Sequence, residues 1–260
     1  MRLAISNIAF EAADDEFIYE KMKELGFEGL EIAPTRIIPE RPYEKNSQIK
    51  AFSRSLKEKY CFDIVSMQSI WFGITQKIFA SAEERAFLVD YTKKAVDFAQ
   101  AAGCKNLVFG CPRNRVIESE YDYPTAVEFF KCIGDYAAAH STVIAIEANP
   151  PIYNTNFINN DTQAMSLWKD VASDGFKINL DMGTVIHNGE DISGLDFSPI
   201  SHVHLSEPGL VKIEKRELHF QLAEIMRNSG YNGWVSIEMK KGLERCEIVE
   251  VMKYAKEVFF

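Results

Sequence analysis

Short apolar runs alternate with longer amphipathic ones along the whole chain, about eight times, and this alternation restricts the fold more than any other feature. The short runs are LAISNIAF (3–10), EGLEIAP (28–34), DIVSMQSI (63–70), NLVFGCP (106–112), VIAIEANP (143–150), FKINLDMG (176–183), HVHLSE (202–207) and WVSIEMK (234–240). They are rich in β-branched and aromatic residues and close near turn-forming residues, as strands do. The segments between them carry helical signals. DDEFIYEKMKEL sets Phe17, Met22 and Leu25 on an apolar stripe behind acidic first-turn residues. Ser81 predicts an N-cap with Glu84 three residues on and Gly103 as the stop. Pro124 lies near the first turn of a further helix, Asp161 is the expected cap of DTQAMSLWKDVA, and Ile248, Val251, Met252 and Ala255 share one face of the last helix.

Eight strand–helix alternations predict a single (β/α)8 TIM barrel spanning residues 1–260. The competing arrangement is an open doubly wound sheet, but no G-x-G-x-x-G follows the first strand. Hydrophobic residues make up 47% of the chain, enough for one large core, and no linker or low-complexity tract divides it. The net charge of −9 argues against nucleic acid as a partner, which calls for a basic face. Five cysteines without a CxxC pair predict reduced thiols. The acidic residues soon after the first strand do not resemble a secretory signal, and no apolar run is long enough for a membrane span. A cytoplasmic protein without a membrane partner is expected, with assembly into a homo-oligomer left open.

Chemistry concentrates in the second half. Glu147, Asp181, His204 and Glu238 stand near the carboxyl ends of four consecutive predicted strands. Side chains along a strand alternate between faces, so Ala145 shares a face with Glu147, Asn179 with Asp181, His202 with His204 and Ser236 with Glu238. These companions are small or polar. The opposite faces carry Ile144, Ile146, Ile178, Leu180, Val203, Leu205, Val235 and Ile237, which suit the layer between strands and helices. The four candidates therefore point into a barrel, towards one another. Three carboxylates and an imidazole suit one divalent ion: Mn²⁺, Mg²⁺, Co²⁺, Fe²⁺ or Zn²⁺. The bland reading, strand-end acids that are solvated or cap helices, fits any one of them alone better than four in phase.

The segments E-A-N-P-P, L-D-M-G, H-V-H-L-S-E-P-G and S-I-E-M resemble those of the sugar phosphate isomerase/epimerase superfamily, the xylose isomerase-like barrels. That group includes ketose 3-epimerases, hydroxypyruvate isomerase, inosose dehydratase and abasic-site endonucleases. The architectural resemblance spans nearly the whole chain; its specific motifs begin at the fifth strand. It implies that Glu147, Asp181, His204 and Glu238 hold one metal ion. Two positions depart from the ketose epimerases: Thr184 stands where they place a histidine, and Leu210 where they carry a substrate-contacting arginine.

The expected activity is isomerisation or epimerisation of a sugar or sugar derivative by proton transfer through an enediolate, with Glu147 and Glu238 as acid and base. Gln68, Trp71, Glu31, Tyr153, His202 and Glu207 are the candidate contacts to a small carbohydrate substrate or to the ligands. A loop packed on its own helix would equally explain Trp71, and a structural ion pair would explain Glu31. The alternatives are a metal-dependent dehydratase of a polyol or keto acid, and a non-catalytic sugar-binding barrel.

Overall fold

Eight parallel strands close into one barrel in chain order, β1 pairing with both β2 and β8. The computed structural model describes the backbone of residues 1–260 and every side chain except that of Tyr121. The strands are β1 (Arg2–Ser6), β2 (Gly29–Ile32), β3 (Asp63–Met67), β4 (Asn106–Phe109), β5 (Val143–Glu147), β6 (Phe176–Asp181), β7 (Ile200–Leu205) and β8 (Trp234–Ile237). The helices are α1 (Asp15–Leu25), α2 (Pro34–Ile37), α3 (Asn46–Tyr60), α4 (Ala82–Ala102), α5 (Tyr123–Ala139), α6 (Asp161–Val171), α7 (Met182–Asn188), α8 (Glu217–Asn228) and α9 (Arg245–Phe259). All but the four-residue α2 follow their strands in turn, the pattern of a (β/α)8 barrel. Among the described residues no helix is long and apolar enough to cross a membrane.

The alternation seen in the sequence sorts side chains as expected. Ile144, Ile146, Ile178, Leu180, Val203, Leu205, Val235 and Ile237 are buried in the core formed with the helices. Ala145, Asn179, His202 and Ser236 are buried on the other strand face. Gly29 permits close packing near the start of the barrel, since a Cβ there would lie 2.7 Å from both Val65 and Trp234.

Three local expectations are revised. The first strand stops at Ser6, and the chain turns into a short 3-10 segment in which Asn7 accepts a hydrogen bond from the Ala33 amide at 2.8 Å. On α1 the buried residues are Ile18, Tyr19 and Met22, while Phe17 and Leu25 are only partly buried. Asn160, not Asp161, caps α6 by accepting from the Gln163 amide at 2.9 Å. Asp161 is the first helical residue and donates its own amide to Glu190 at 3.0 Å. Ser81 and Gly103 bound α4 as read from the sequence, the Ser81 hydroxyl accepting from the Glu84 amide.

His219 on α8 is buried, with Nδ1 2.9 Å from the Tyr254 hydroxyl of α9. Burial disfavours the imidazolium and lowers its pKa to about 4. The unfolded chain takes up this proton near pH 6.5 and the folded chain does not, so folding stability should fall as pH drops from 6.5 towards 4. The loss is about 2–3 kcal/mol. Urea unfolding across that range should show the slope flattened in His219→Gln.

Candidate metal centre

Four adjoining strands each bring one candidate ligand to a common point. Glu147 and Asp181 end β5 and β6, His204 is the penultimate residue of β7, and Glu238 follows β8 with its amide on Leu205 O at 2.9 Å. The register sets Asp181 beside His204 and His204 beside Ser236, two residues before Glu238. One donor atom from each of the four residues lies within 4.8 Å of the others, and all four side chains are largely buried.

Hydrogen bonds give each group an orientation. His204 Nε2 is 2.9 Å from Glu31 Oε2, and a carboxylate there only accepts, so Nε2 carries a proton. Burial opposes the charge of Glu31, but His204 and His202 outweigh it and hold the carboxyl below the usual range. His204 Nδ1 is thereby turned to the cluster, 3.0 Å from Glu147 Oε1 and 3.1 Å from Glu238 Oε2. Each glutamate keeps its second oxygen on an amide: Glu147 Oε2 accepts from Asn149 at 2.9 Å, and Glu238 Oε1 from Gln68 at 2.9 Å. Asn179 donates to Glu147 Oε1 at 2.8 Å. Asp181 accepts from the Thr184 amide at 2.9 Å and from the Ser206 hydroxyl.

The charges do not balance without a cation. Burial, aided by Glu147 and Asp181 and opposed by His204, pushes the Glu238 carboxyl up to about 7. Burial and the charge of Glu147 raise Asp181 as well. Burial also disfavours a proton on His204, yet Glu238, Glu31 and Glu147 hold it well above the ordinary imidazole range. Three carboxylates thus converge on one imidazole in a poorly hydrated space, the condition that a divalent ion relieves. The oxygen-rich donor set with one nitrogen fits Mn²⁺, Mg²⁺, Co²⁺, Fe²⁺ or Zn²⁺. Gly110, just past β4, keeps room for the Glu147 carboxylate: a Cβ there would stand 2.9 Å from Glu147 Oε2.

A cavity of about 200 Å³ opens on this cluster, and Gln68, Tyr153 and Leu210 line it with Glu147, Asp181 and Glu238. The Tyr153 hydroxyl accepts from the Gly209 amide at 2.8 Å, joining the loops after β5 and β7 across the mouth. A wider cavity of about 540 Å³ shares Ser69, Cys111 and Pro112 with the first. Burial pushes the Cys111 thiol up to about 12, so it is inert at neutral pH.

Four of the candidate contacts have their polar groups taken up by protein partners. Glu31 and His202 are wholly buried and face His204 and Ser236, supporting the ligand rather than reaching the cavity. Glu207 is held by both ends of the Arg216 guanidinium at 2.7 Å, tying the end of β7 to the start of α8. Trp71 is 3% exposed; its indole donates to Thr92 at 2.9 Å and its ring meets Phe109 and Phe129 edge-on. The exposed aromatic at the wider cavity is Phe72, at 69%. Asn149, Thr184, Ser206 and Arg115 support the site without having been singled out as contacts. Asn149 lies two residues beyond Glu147, on the same side of an extended chain, a signal present in the sequence.

The family model for xylose isomerase-like TIM barrels matches residues 19–258. No curated protein matches the sequence significantly. Among solved structures, D-psicose 3-epimerase with D-tagatose from Clostridium cellulolyticum H10 superposes with a TM-score of 0.83 at 16% identity, over 100% of this chain and 99% of that one. The 3-keto-D-glucoside 4-epimerase from E. coli gives 0.77 at 17%, over 99% of each chain. The IOLI protein with a binding zinc atom gives 0.73 at 16%, over 99% of this chain and 96% of that one. At these identities the likeness is one of fold.

Proposed function

This chain belongs to the xylose isomerase-like TIM barrel family, and from that premise we propose that it is a divalent-metal-dependent isomerase or epimerase of a sugar or sugar derivative. The observation that carries the reading is the paired arrangement of Glu147 and Glu238. Each turns one oxygen to the cluster and has the other fixed by a side-chain amide. The epimerases and the zinc-binding protein sharing this fold lend it support.

Glu147, Asp181, His204 and Glu238 would hold the ion. When bound, it would polarise a carbonyl and the hydroxyl beside it, acidifying the intervening C–H. Glu147 and Glu238 approach such a carbon from different strands, so one removes the proton and the other returns it. Return to the opposite face of the same carbon epimerises; return to the neighbouring carbon isomerises. Asp181, held by Thr184 and Ser206, and His204, held by Glu31, serve as fixed ligands. Leu210 and Val108 give the cavity an apolar side that limits water at the reacting carbon. Its volume of about 200 Å³ suits a single sugar unit, and the adjoining cavity leaves room for a substituent.

The test is incubation with Mn²⁺ and a panel of ketoses in D₂O. Deuterium should enter the carbon beside the carbonyl, and the product should keep all its oxygen. An unsaturated product would replace this reading with a dehydratase. A protein that retains no divalent ion after dialysis against Mn²⁺, and exchanges no proton, would defeat it.

A further inference from the structure

The guanidinium of Arg115 is wholly buried, and among the described residues no carboxylate touches it. Its donors serve three stretches of chain instead: Gly110 O at the end of β4 (2.7 Å), Glu147 O at the end of β5 (2.8 Å), and Phe157 O and Ile158 O in the loop that follows. Its remaining bond runs to Asn149 Oδ1 at 2.7 Å.

That last contact determines the orientation of an amide. A guanidinium can only donate, so Asn149 must present oxygen to it. The Asn149 nitrogen is then committed to the other side, where it donates to Glu147 Oε2 at 2.9 Å. A flipped amide would set donor against donor at Arg115 and acceptor against acceptor at Glu147. The backbone of Asn149 is fixed too, its amide on Ile158 O at 3.0 Å and its carbonyl accepting from Asn159 at 2.8 Å.

We infer that Arg115 is a positioning residue for Glu147, acting through Asn149 to fix which carboxylate oxygen faces the ligand cluster. The inference rests on reading Glu147 as a metal ligand. Arg115 never meets substrate; its reach ends at the far oxygen of Glu147.

The test is Mn²⁺ affinity, titrated calorimetrically on folded protein well below its melting temperature. Asn149→Ala removes the donor to Glu147 and leaves Arg115 its four carbonyl partners. Arg115→Lys keeps the charge but cannot reproduce the planar fork. Each variant should bind Mn²⁺ about 10–100-fold more weakly than wild type, the usual cost of losing a group that orients a ligand. The double variant should be no weaker than the worse single one, because both changes break one chain of contacts. A purely structural role predicts a lower melting temperature with unchanged affinity, so Mn²⁺ binding within about twofold of wild type in either folded variant overturns the inference. Additive losses in the double variant overturn the coupling through Asn149. If Arg115→Lys does not fold, Arg115→Gln is titrated in its place, and Mn²⁺ binding within about twofold of wild type overturns the inference. Wild type that binds no Mn²⁺ defeats the metal-site reading as well, whereas tight wild-type binding with unaffected variants defeats this inference alone.

Discussion

Glu238→Gln should stop turnover while making the ion-free protein more stable. The variant removes a buried carboxyl whose pKa is raised from 4.5 to about 7, and such a group destabilises the fold wherever the unfolded chain ionises it more readily. The cost is absent below pH 4.5, grows through the interval and is complete above about 7. Relief in the variant follows the same course: about 3 kcal/mol at pH 8 less what the lost His204 contact contributed, about 1–2 kcal/mol net, vanishing towards pH 4.5. The amide oxygen can accept from Gln68, and loss of the Glu238 charge favours release of the second His204 proton, which leaves Nδ1 able to accept from the amide nitrogen. Catalysis has no such substitute. On the proposed mechanism, loss of a ligand and of one proton-transfer group should lower the rate on the order of 10³-fold or more. Urea unfolding in EDTA and in Mn²⁺ separates the effects. Mn²⁺ at 100 times its Kd should stabilise wild type by about 2.7 kcal/mol, and the variant far less. A variant that is less stable than wild type in EDTA at pH 8, or one with wild-type turnover, would contradict this account. Glu147→Gln should behave differently. Both Glu147 oxygens accept from amide nitrogens, of Asn149 and Asn179, so a Gln there brings one donor against another.

The barrel and the convergence of the four candidate side chains were legible because both depend on local periodicity. A strand such as VIAIE has to send Ile144 and Ile146 one way and Ala145 and Glu147 the other, whatever surrounds it. Four such strands in phase leave the inward acids no other place to go. What escaped the sequence depends on partners distant along the chain. Trp71 reads equally as a mouth aromatic or as packed on its own helix, and Thr92 and Phe129 favour the second. Glu31 reads equally as a sugar contact or an ion-pair member, and its partners, imidazoles about 170 residues later, make it a brace for His204. Glu207 satisfies an arginine nine residues on, in a loop whose path periodicity does not describe. Thr184, noted as a departure from the ketose epimerases, holds a ligand in place, since its amide and hydroxyl both reach Asp181 Oδ2 at 2.9 Å. Arg115 is the extreme case. The second arginine of CPRNR carries no periodic signal, and only the return of residues 147 to 158 encloses it.

Arg115→Met should lower folding stability by about 3–5 kcal/mol, the largest single-site loss expected outside the hydrophobic core. Two opposing terms set the sign. Removing a buried charge is favourable in itself, and replacing buried ion pairs by hydrophobic residues is often neutral or stabilising because both partners disappear together. Here the partners cannot disappear. Four are main-chain carbonyls, of Gly110, Glu147, Phe157 and Ile158, and the fifth is the Asn149 amide oxygen. A methionine fills much of the volume but offers no donor, leaving several buried acceptors against an apolar chain at about 1–3 kcal/mol each. Water entering the gap recovers part of that cost, which keeps the net below the simple sum. At about 2–4 °C per kcal/mol for a chain near this size, the melting temperature should fall by about 6–20 °C. The loss should appear as a lower urea midpoint at an unchanged m-value if the whole barrel unfolds with the loop. Protease cleavage within residues 147–160 at an unchanged midpoint would instead mean that the loop opens alone and that Arg115 stabilises the site without stabilising the fold.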